Sequence, residues 1–420
     1  MIIEFSLKNF YSFAQTQTIS LNSSRLKGLD ASTIKLTYPN KLELLRSAVI
    51  YGANAAGKSN FFLGLRVMHN IIINSASESQ SGDELPIVPF KLDSELIDKP
   101  SEFEISFISN NIRYQYGFTA TSSKIHDEWL FAWPKGRPQK WFMRAWNNKK
   151  NEYEWEMGSA LLGDKHVWQK ATRSNALFLS TAMQLNSEQL KPVFDWFKNT
   201  LRVSTLGGWN EKFSSLICTR DKKEEVLNFL KAADVGIDDI IVTKEKFNPA
   251  SLPNSLPENL KQLVIKNNND VNTYKIQTVH KNNNNELMLF DLKDESEGTK
   301  KLFSLAGPWL DTLDKGHVIF IDELNLSLHP KLVRFLVSLF NDPDKNTNNA
   351  QLIFTTHETS ILNQEVFRRD QIWFCEKDNA NATKLFPLTD FSPRKGRENI
   401  ETSYLDGRYG AIPFIKKMEM

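Results

Sequence analysis

Gly52-Ala53-Asn54-Ala55-Ala56-Gly57-Lys58-Ser59 has the spacing of a phosphate-binding loop: glycine, four residues, glycine, lysine and a hydroxyl residue. Glycines let the backbone curl so that successive N–H groups face one point. A helix beginning there adds the positive end of its dipole. Gly52, Asn54, Ala55, Ala56, Gly57 and Asn60 would then wrap the nucleotide, here expected to be ATP. Lys58 would supply a point charge for the β- and γ-phosphates, and Ser59 a hydroxyl for Mg²⁺.

A second constellation follows in the last third. Val318-Ile319-Phe320-Ile321-Asp322-Glu323 is a continuous apolar run ending in two carboxylates. Such a run reads as a strand buried on both faces of a parallel sheet, and ligands gather at the carboxyl ends of such strands. Asp322 is the expected partner of the Mg²⁺ shell, opposite Ser59. Glu323 is the expected general base that polarises the attacking water. Leu352-Ile353-Phe354-Thr355-Thr356-His357 repeats the pattern and ends in a histidine able to reach the γ-phosphate and the water.

The elements that must position these groups are legible in the hydrophobic period. Residues 45–51 form a short apolar strand ahead of the loop, and 59–73 carry helical spacing through Phe61, Phe62, Leu65, Met68 and Ile72. Ile3, Phe5 and Leu7 alternate with polar residues as a half-buried strand, with a partner at Thr16 to Leu21. Ser75 to Leu85 reads as a loose loop. Residues 101–180 read as antiparallel strands, 186–235 as helical, and Pro249 to Pro257 as a break. A hairpin is expected at 273–292 across Asn282 to Asn285, with helices at 295–313 and 328–341. The resulting fold class is α/β, a P-loop head with a mixed sheet core split in sequence, an antiparallel β lobe and a helical insertion. The expected boundaries are 1–75 and 271–420 for the two parts of the core, 76–185 for the β lobe and 186–270 for the mainly helical insertion.

Bulk composition excludes little but points one way. The 420 residues carry a net charge of +2, with 24% charged and 40% hydrophobic side chains, the usage of an ordinary globular chain. Any nucleic-acid surface must therefore be local. Two distant cysteines, Cys218 and Cys375, fit no metal spacing and suit a reduced, cytoplasmic protein. The first residues lack a basic leader pattern, and no apolar run approaches the roughly 18 residues of a membrane helix.

Ser296-Glu297-Gly298-Thr299 stands just ahead of a helical stretch that leads into the acid pair. A serine followed by an acid is also a plain helix N-cap. Its place in the order of motifs resembles the ABC signature, in which a serine and a glycine at a helix start meet the γ-phosphate held by the other protomer. The wider sequence resembles the AAA15 group of prokaryotic ABC-type ATPases, including RloA-like proteins, relatives of the SMC, Rad50 and RecF heads. The resemblance runs through Phe5–Phe13, Tyr51–Asn60, Glu295–Leu302, Ile321–Glu323, Ser327-Leu328-His329-Pro330, Thr355–His357 and the tail Tyr404–Pro413. It implies a homodimer or higher oligomer sandwiching ATP and Mg²⁺, hydrolysis by Glu323 with His357 and Lys58, trans contacts from Ser296 and Gly298, and Ser327 in the D-loop. Tyr11 stands where relatives often carry a basic residue. No glutamine is singled out for a Q-loop; Gln80 and Gln115 both remain open.

The group's members often sit beside nucleases or toxins, so the resemblance implies an ATPase that controls a separate effector in anti-phage defence. No sustained heptad pattern marks a long coiled coil. About sixty residues follow His357, fewer than a Toprim-like nuclease domain needs. The alternative is a RecF- or Rad50-like DNA-binding ATPase of DNA repair. A small-molecule kinase leaves the histidine strand and Ser296 without a role. Residues 129–155 interleave tryptophans with lysines and arginines, which suits either a nucleic-acid clamp or a strand pair with one aromatic face. The tail could dock a partner or fold back on the core.

Overall fold

The structure, a computed structural model, describes residues 1–26, 28–37, 41–246, 257–258, 261–262, 272–393 and 398–413. The chain divides into two compact units. The first comprises Met1–Gly207, Thr312–Asn325 and Leu336–Met420; the second comprises Gly208–Asp311 and Leu326–Phe335.

The first unit is built on two sheets and a helix. Its six-stranded sheet has the order Leu201–Leu206, Val318–Asp322, Gln351–Thr355, Ser47–Gly52, Ile372–Lys377, Thr383–Pro387. The first five strands run parallel and the last pairs antiparallel at the edge. The three strands at its centre, 318–322, 351–355 and 47–52, are buried along their whole length, as continuous apolar runs require. The seven-stranded antiparallel sheet joins the N-terminal strand Ile2–Lys8 and its partner Gln17–Ser20 to five strands between Ser101 and Met157. Helix Lys58–Asn74 packs on both sheets: Phe61 meets Phe5 of the antiparallel sheet at 5.2 Å, and Phe62 meets Phe320 of the parallel sheet at 5.4 Å. One apolar core thus spans all three layers.

Several expectations shift. Residues 101–180 are not strands throughout: pairing ends at Met157, and Lys165–Ala171 and Phe178–Gln184 are helices. The region after 186 is not simply helical. Leu201–Leu206 is a strand registered parallel with Val318–Asp322, and pairing to that neighbour decides its state over the helical residues before it. In the second unit Asp239–Lys246 joins the expected hairpin, Asn272–Lys281 with Leu287–Asp291, as a third antiparallel strand. Helices Glu211–Ile217 and Lys223–Ala232 complete that unit's described insertion. The break expected at Pro249 to Pro257, and most of 247–270, lie outside the described residues.

Candidate nucleotide-binding site

The phosphate loop leaves the central strand Ser47–Gly52 and enters the helix at Lys58. A side chain at Gly52 would place its Cβ 2.3 Å from the carbonyl oxygen of Cys375 on the neighbouring strand, so only glycine fits. Ala55 and Gly57 both take positive φ, 61° and 111°, and the chain turns there without a side-chain cap on the helix. The first-turn N–H groups are therefore left to an external acceptor. Asn54, Ala55 and Ser59 are exposed, whereas Ala56, Gly57 and Lys58 are buried. The Lys58 ammonium donates to the carbonyls of Gly52 and Ala53 at 2.8 and 3.0 Å. Burial pulls its pKa below the ordinary value, against the opposing pull of Cys375, Asp322 and Glu323. Asn60 donates its amide to the Ser12 hydroxyl at 3.0 Å.

The acid pair and the histidine end adjacent parallel strands. Asp322, buried, accepts the Thr355 hydroxyl at 2.7 Å. Glu323 has a left-handed backbone, φ 54°, a conformation disfavoured for a side-chain-bearing residue. Thr355 holds that turn: its hydroxyl accepts the Glu323 N–H at 2.8 Å and its carbonyl accepts the Leu324 N–H at 3.0 Å. His357 Nε2 lies 4.0 Å from Glu323 Oε1, and the backbone N–H of His357 donates to Asn325 Oδ1 at 3.3 Å. Burial, then the charge of Lys58, lower the His357 pKa, while Glu323 and Asp322 raise it. Lys58, Asp322, Glu323 and His357 are thus brought into one electrostatic neighbourhood.

Among the described residues no cluster of three or more His, Cys, Asp and Glu side chains could hold a metal alone. Ser59 and Asp322 offer hard oxygen donors, and Mg²⁺ is commonly held by one or two carboxylates together with the phosphates and water. The donor set fits that ion.

In the second unit Ser296 caps the helix Glu297–Lys315, accepting the Thr299 N–H at 3.1 Å with Thr299 Oγ1 at 2.9 Å. Its hydroxyl is exposed. Glu295, immediately before it, accepts from Thr278 at 2.5 Å and pairs with His280 at 2.7 Å, which pins the chain entering the helix. Ser327, with φ 61°, lies against Gly298: a Cβ on that glycine would stand 3.4 Å from the Ser327 carbonyl oxygen.

With this geometry in place, the family is decided by sequence. A family model described as "AAA domain, putative AbiEii toxin, Type IV TA system" matches residues 47–363, from the first residue of the central strand to just beyond His357. The chain belongs to this AAA family. Its parallel core, phosphate loop and acid-ended strand are those of an α/β P-loop fold. Among solved structures, an SMC head domain from Thermotoga maritima matches this AAA-family chain with TM-score 0.39 at 12% identity, covering 92% of this chain and 98% of its own. An SMC head bound to the C-winged helix domain of ScpA matches with TM-score 0.38 at 13% identity, covering 93% and 99%. No curated protein matches the sequence. Among the described residues no helix is long and apolar enough to cross a membrane.

Two open features of this AAA-family chain gain a structural account. Within 129–155 the tryptophans are buried or half-buried in the sheet and Arg144 is the one buried cation, while Lys135, Arg137, Lys140, Lys149 and Lys150 stay exposed. Arg144 is fully buried against Glu128 at 3.0 Å, Lys150 pairs with Glu154 at 2.9 Å, and Lys140 pairs with Glu156. Trp129 donates to Glu104 at 2.7 Å, and Trp141 is buried. The tail folds back as a cap. Tyr404 and Tyr409 stack on Phe374 at 5.3 and 5.5 Å, and the Ala411 N–H donates to Glu376 at 2.9 Å. No role was legible in the sequence for Thr355, Thr383 or Ser12, and Cys375 was read only as a reduced thiol; of these, Thr355, the last residue of an apolar strand, alone carried a local signal.

Proposed function

We propose that this protein is an ATPase whose heads pair around ATP and Mg²⁺ and hydrolyse the nucleotide to ADP and phosphate. The observation that carries the reading is the convergence of Lys58, Asp322, Glu323 and His357 at the ends of neighbouring parallel strands. In this scheme the loop 52–60 wraps the triphosphate and Lys58 leaves its loop carbonyls for the β- and γ-phosphates. Ser59 and Asp322 hold Mg²⁺, which neutralises charge on the phosphate oxygens. Glu323 takes a proton from the attacking water, and His357, kept neutral by burial and Lys58, orients the water. Ser296 and Gly298 reach the γ-phosphate of the partner protomer, with Ser327 at the same crossing.

The biological reading rests on the AAA15 and RloA-like resemblance: a cytoplasmic regulator that holds or releases a nuclease or toxin effector in anti-phage defence. The buried Arg144–Glu128 pair and the buried Trp141 favour a structural use of the aromatic strands, with the remaining basic residues as a solvated face.

Two variants test the chemistry. Lys58→Ala should abolish ATP binding in calorimetry. Glu323→Gln should bind ATP with wild-type affinity while turnover falls about 100-fold or more, the usual worth of a general base. Turnover at the wild-type rate in Glu323→Gln would remove Glu323 from the mechanism.

A further inference from the structure

A chain of hydrogen bonds joins Asn60 to Ala56 beneath the phosphate loop through two residues outside that motif, Ser12 and Thr383. Thr383, the first residue of the edge strand Thr383–Pro387, lies with its hydroxyl 2.8 Å from the carbonyl oxygen of Ala56 and 2.8 Å from the hydroxyl of Ser12. Ser12 lies 3.0 Å from the Asn60 amide nitrogen, and its own carbonyl accepts the Thr383 N–H at 2.7 Å. The chemistry fixes the direction of this chain. A carbonyl only accepts and an amide NH₂ only donates. Asn60 therefore donates to Ser12, Ser12 donates to Thr383, and Thr383 donates to Ala56. Hydrogen bonds aligned head to tail in this way polarise and strengthen one another. The Cys375 thiol, 3.4 Å from the same oxygen, adds a second donor to the Ala56 carbonyl.

We propose that Thr383 and Ser12 are positioning residues for nucleotide binding, acting by fixing the peptide plane between Ala56 and Gly57. A trans peptide is planar, with its C=O and N–H on opposite sides. Anchoring the Ala56 oxygen on Thr383 turns the Gly57 N–H to the other side, away from the strand and towards the space the loop encloses. The two hydroxyls also lie close against the back of the loop. A Cβ at Gly57 would stand 2.2 Å from Thr383 Oγ1 and 2.8 Å from Ser12 Oγ, so this close approach requires glycine at that position. Thr383 and Ser12 touch the loop from behind and act on the phosphates only through it.

This inference rests on the ATP-binding reading, and one titration series separates the two. ATP affinity is measured by calorimetry for the wild-type protein, Lys58→Ala, Thr383→Val, Thr383→Ser and Ser12→Ala, together with the melting temperature of each without nucleotide. Thr383→Val keeps the shape and removes the donor. It should weaken ATP binding about tenfold, the size of one hydrogen bond, while the ligand-free melting temperature stays within a few degrees of wild type. Thr383→Ser should restore affinity, and Ser12→Ala should fall between. Wild-type affinity in Thr383→Val, or loss of affinity only in step with loss of melting temperature, would overturn the proposal while ATP binding by the wild-type protein stands. If Thr383→Val fails to fold, Ser12→Ala decides, because it breaks the chain one link earlier. Failure of the wild-type protein to bind ATP would overturn both readings.

Discussion

The Thr355 hydroxyl donates to the Asp322 carboxylate at 2.7 Å while accepting the N–H of Glu323 at 2.8 Å. One side chain from the neighbouring strand thereby sets both acids: it aims an oxygen of Asp322 and holds Glu323 in its left-handed turn. Thr355→Val preserves the volume and removes both bonds. Hydrolysis should fall about ten- to hundredfold, the loss expected when a hydrogen bond to a charged group is broken. Thr355→Ser should recover most of it. Steady-state phosphate release at saturating Mg²⁺ measures both.

His357 should titrate below its ordinary value of 6.5, because burial and then Lys58 disfavour its charged form. The imidazole is consequently neutral at pH 7 and becomes charged only as pH falls below the lowered midpoint. Removing the Lys58 charge in Lys58→Ala should move the midpoint up. Removing the Glu323 charge in Glu323→Gln should move it down. Histidine-resolved NMR titration of the three proteins gives the order directly, and a midpoint unmoved by either substitution would separate His357 from this charge cluster.

The proposed pairing of heads around shared sites predicts the outcome of mixing two variants. Ser296→Ala and Lys58→Ala should each be inactive alone. A mixed dimer of the two holds one composite site in which both residues are intact. Random pairing of equal amounts should therefore restore about a quarter of the wild-type rate. No recovery after mixing and re-equilibration would argue for sites complete within one chain.

Tyr409 is fully buried, stacks on Phe374 and donates to Glu398 at 2.5 Å. Burial raises its hydroxyl pKa to about 12, so the ring stays neutral. Tyr409→Ala should cost about 3 kcal/mol of stability by the cavity it leaves, read from chemical denaturation. A tail that served only to dock a partner would leave stability unchanged.

The parts of this architecture that repeat at short range were legible in the sequence. The strand before the loop, the helix Lys58–Asn74, the acid-ended strand and the histidine strand follow from apolar runs of the right length beside turn residues. Leu201–Leu206 was not, because a short strand between helices owes its state to its parallel partner Val318–Asp322. Thr383 and Ser12 escaped for a related reason. A threonine opening an exposed-looking edge strand carries no local mark of the loop it supports. Arg144 misled in the other direction: its basic character suggests a surface, whereas Glu128 and the Ala176 carbonyl hold it inside the sheet.

The bond from Thr383 to Ala56 joins residues 327 positions apart. On the ribosome, at about 5–20 residues per second, the loop emerges tens of seconds before the strand that braces it. The loop segment 52–59 is thus made early but given its bracing late. On the reading proposed for Thr383, a chain ended before that residue would carry the glycine-lysine motif without its brace and should hold nucleotide more weakly than one that includes it.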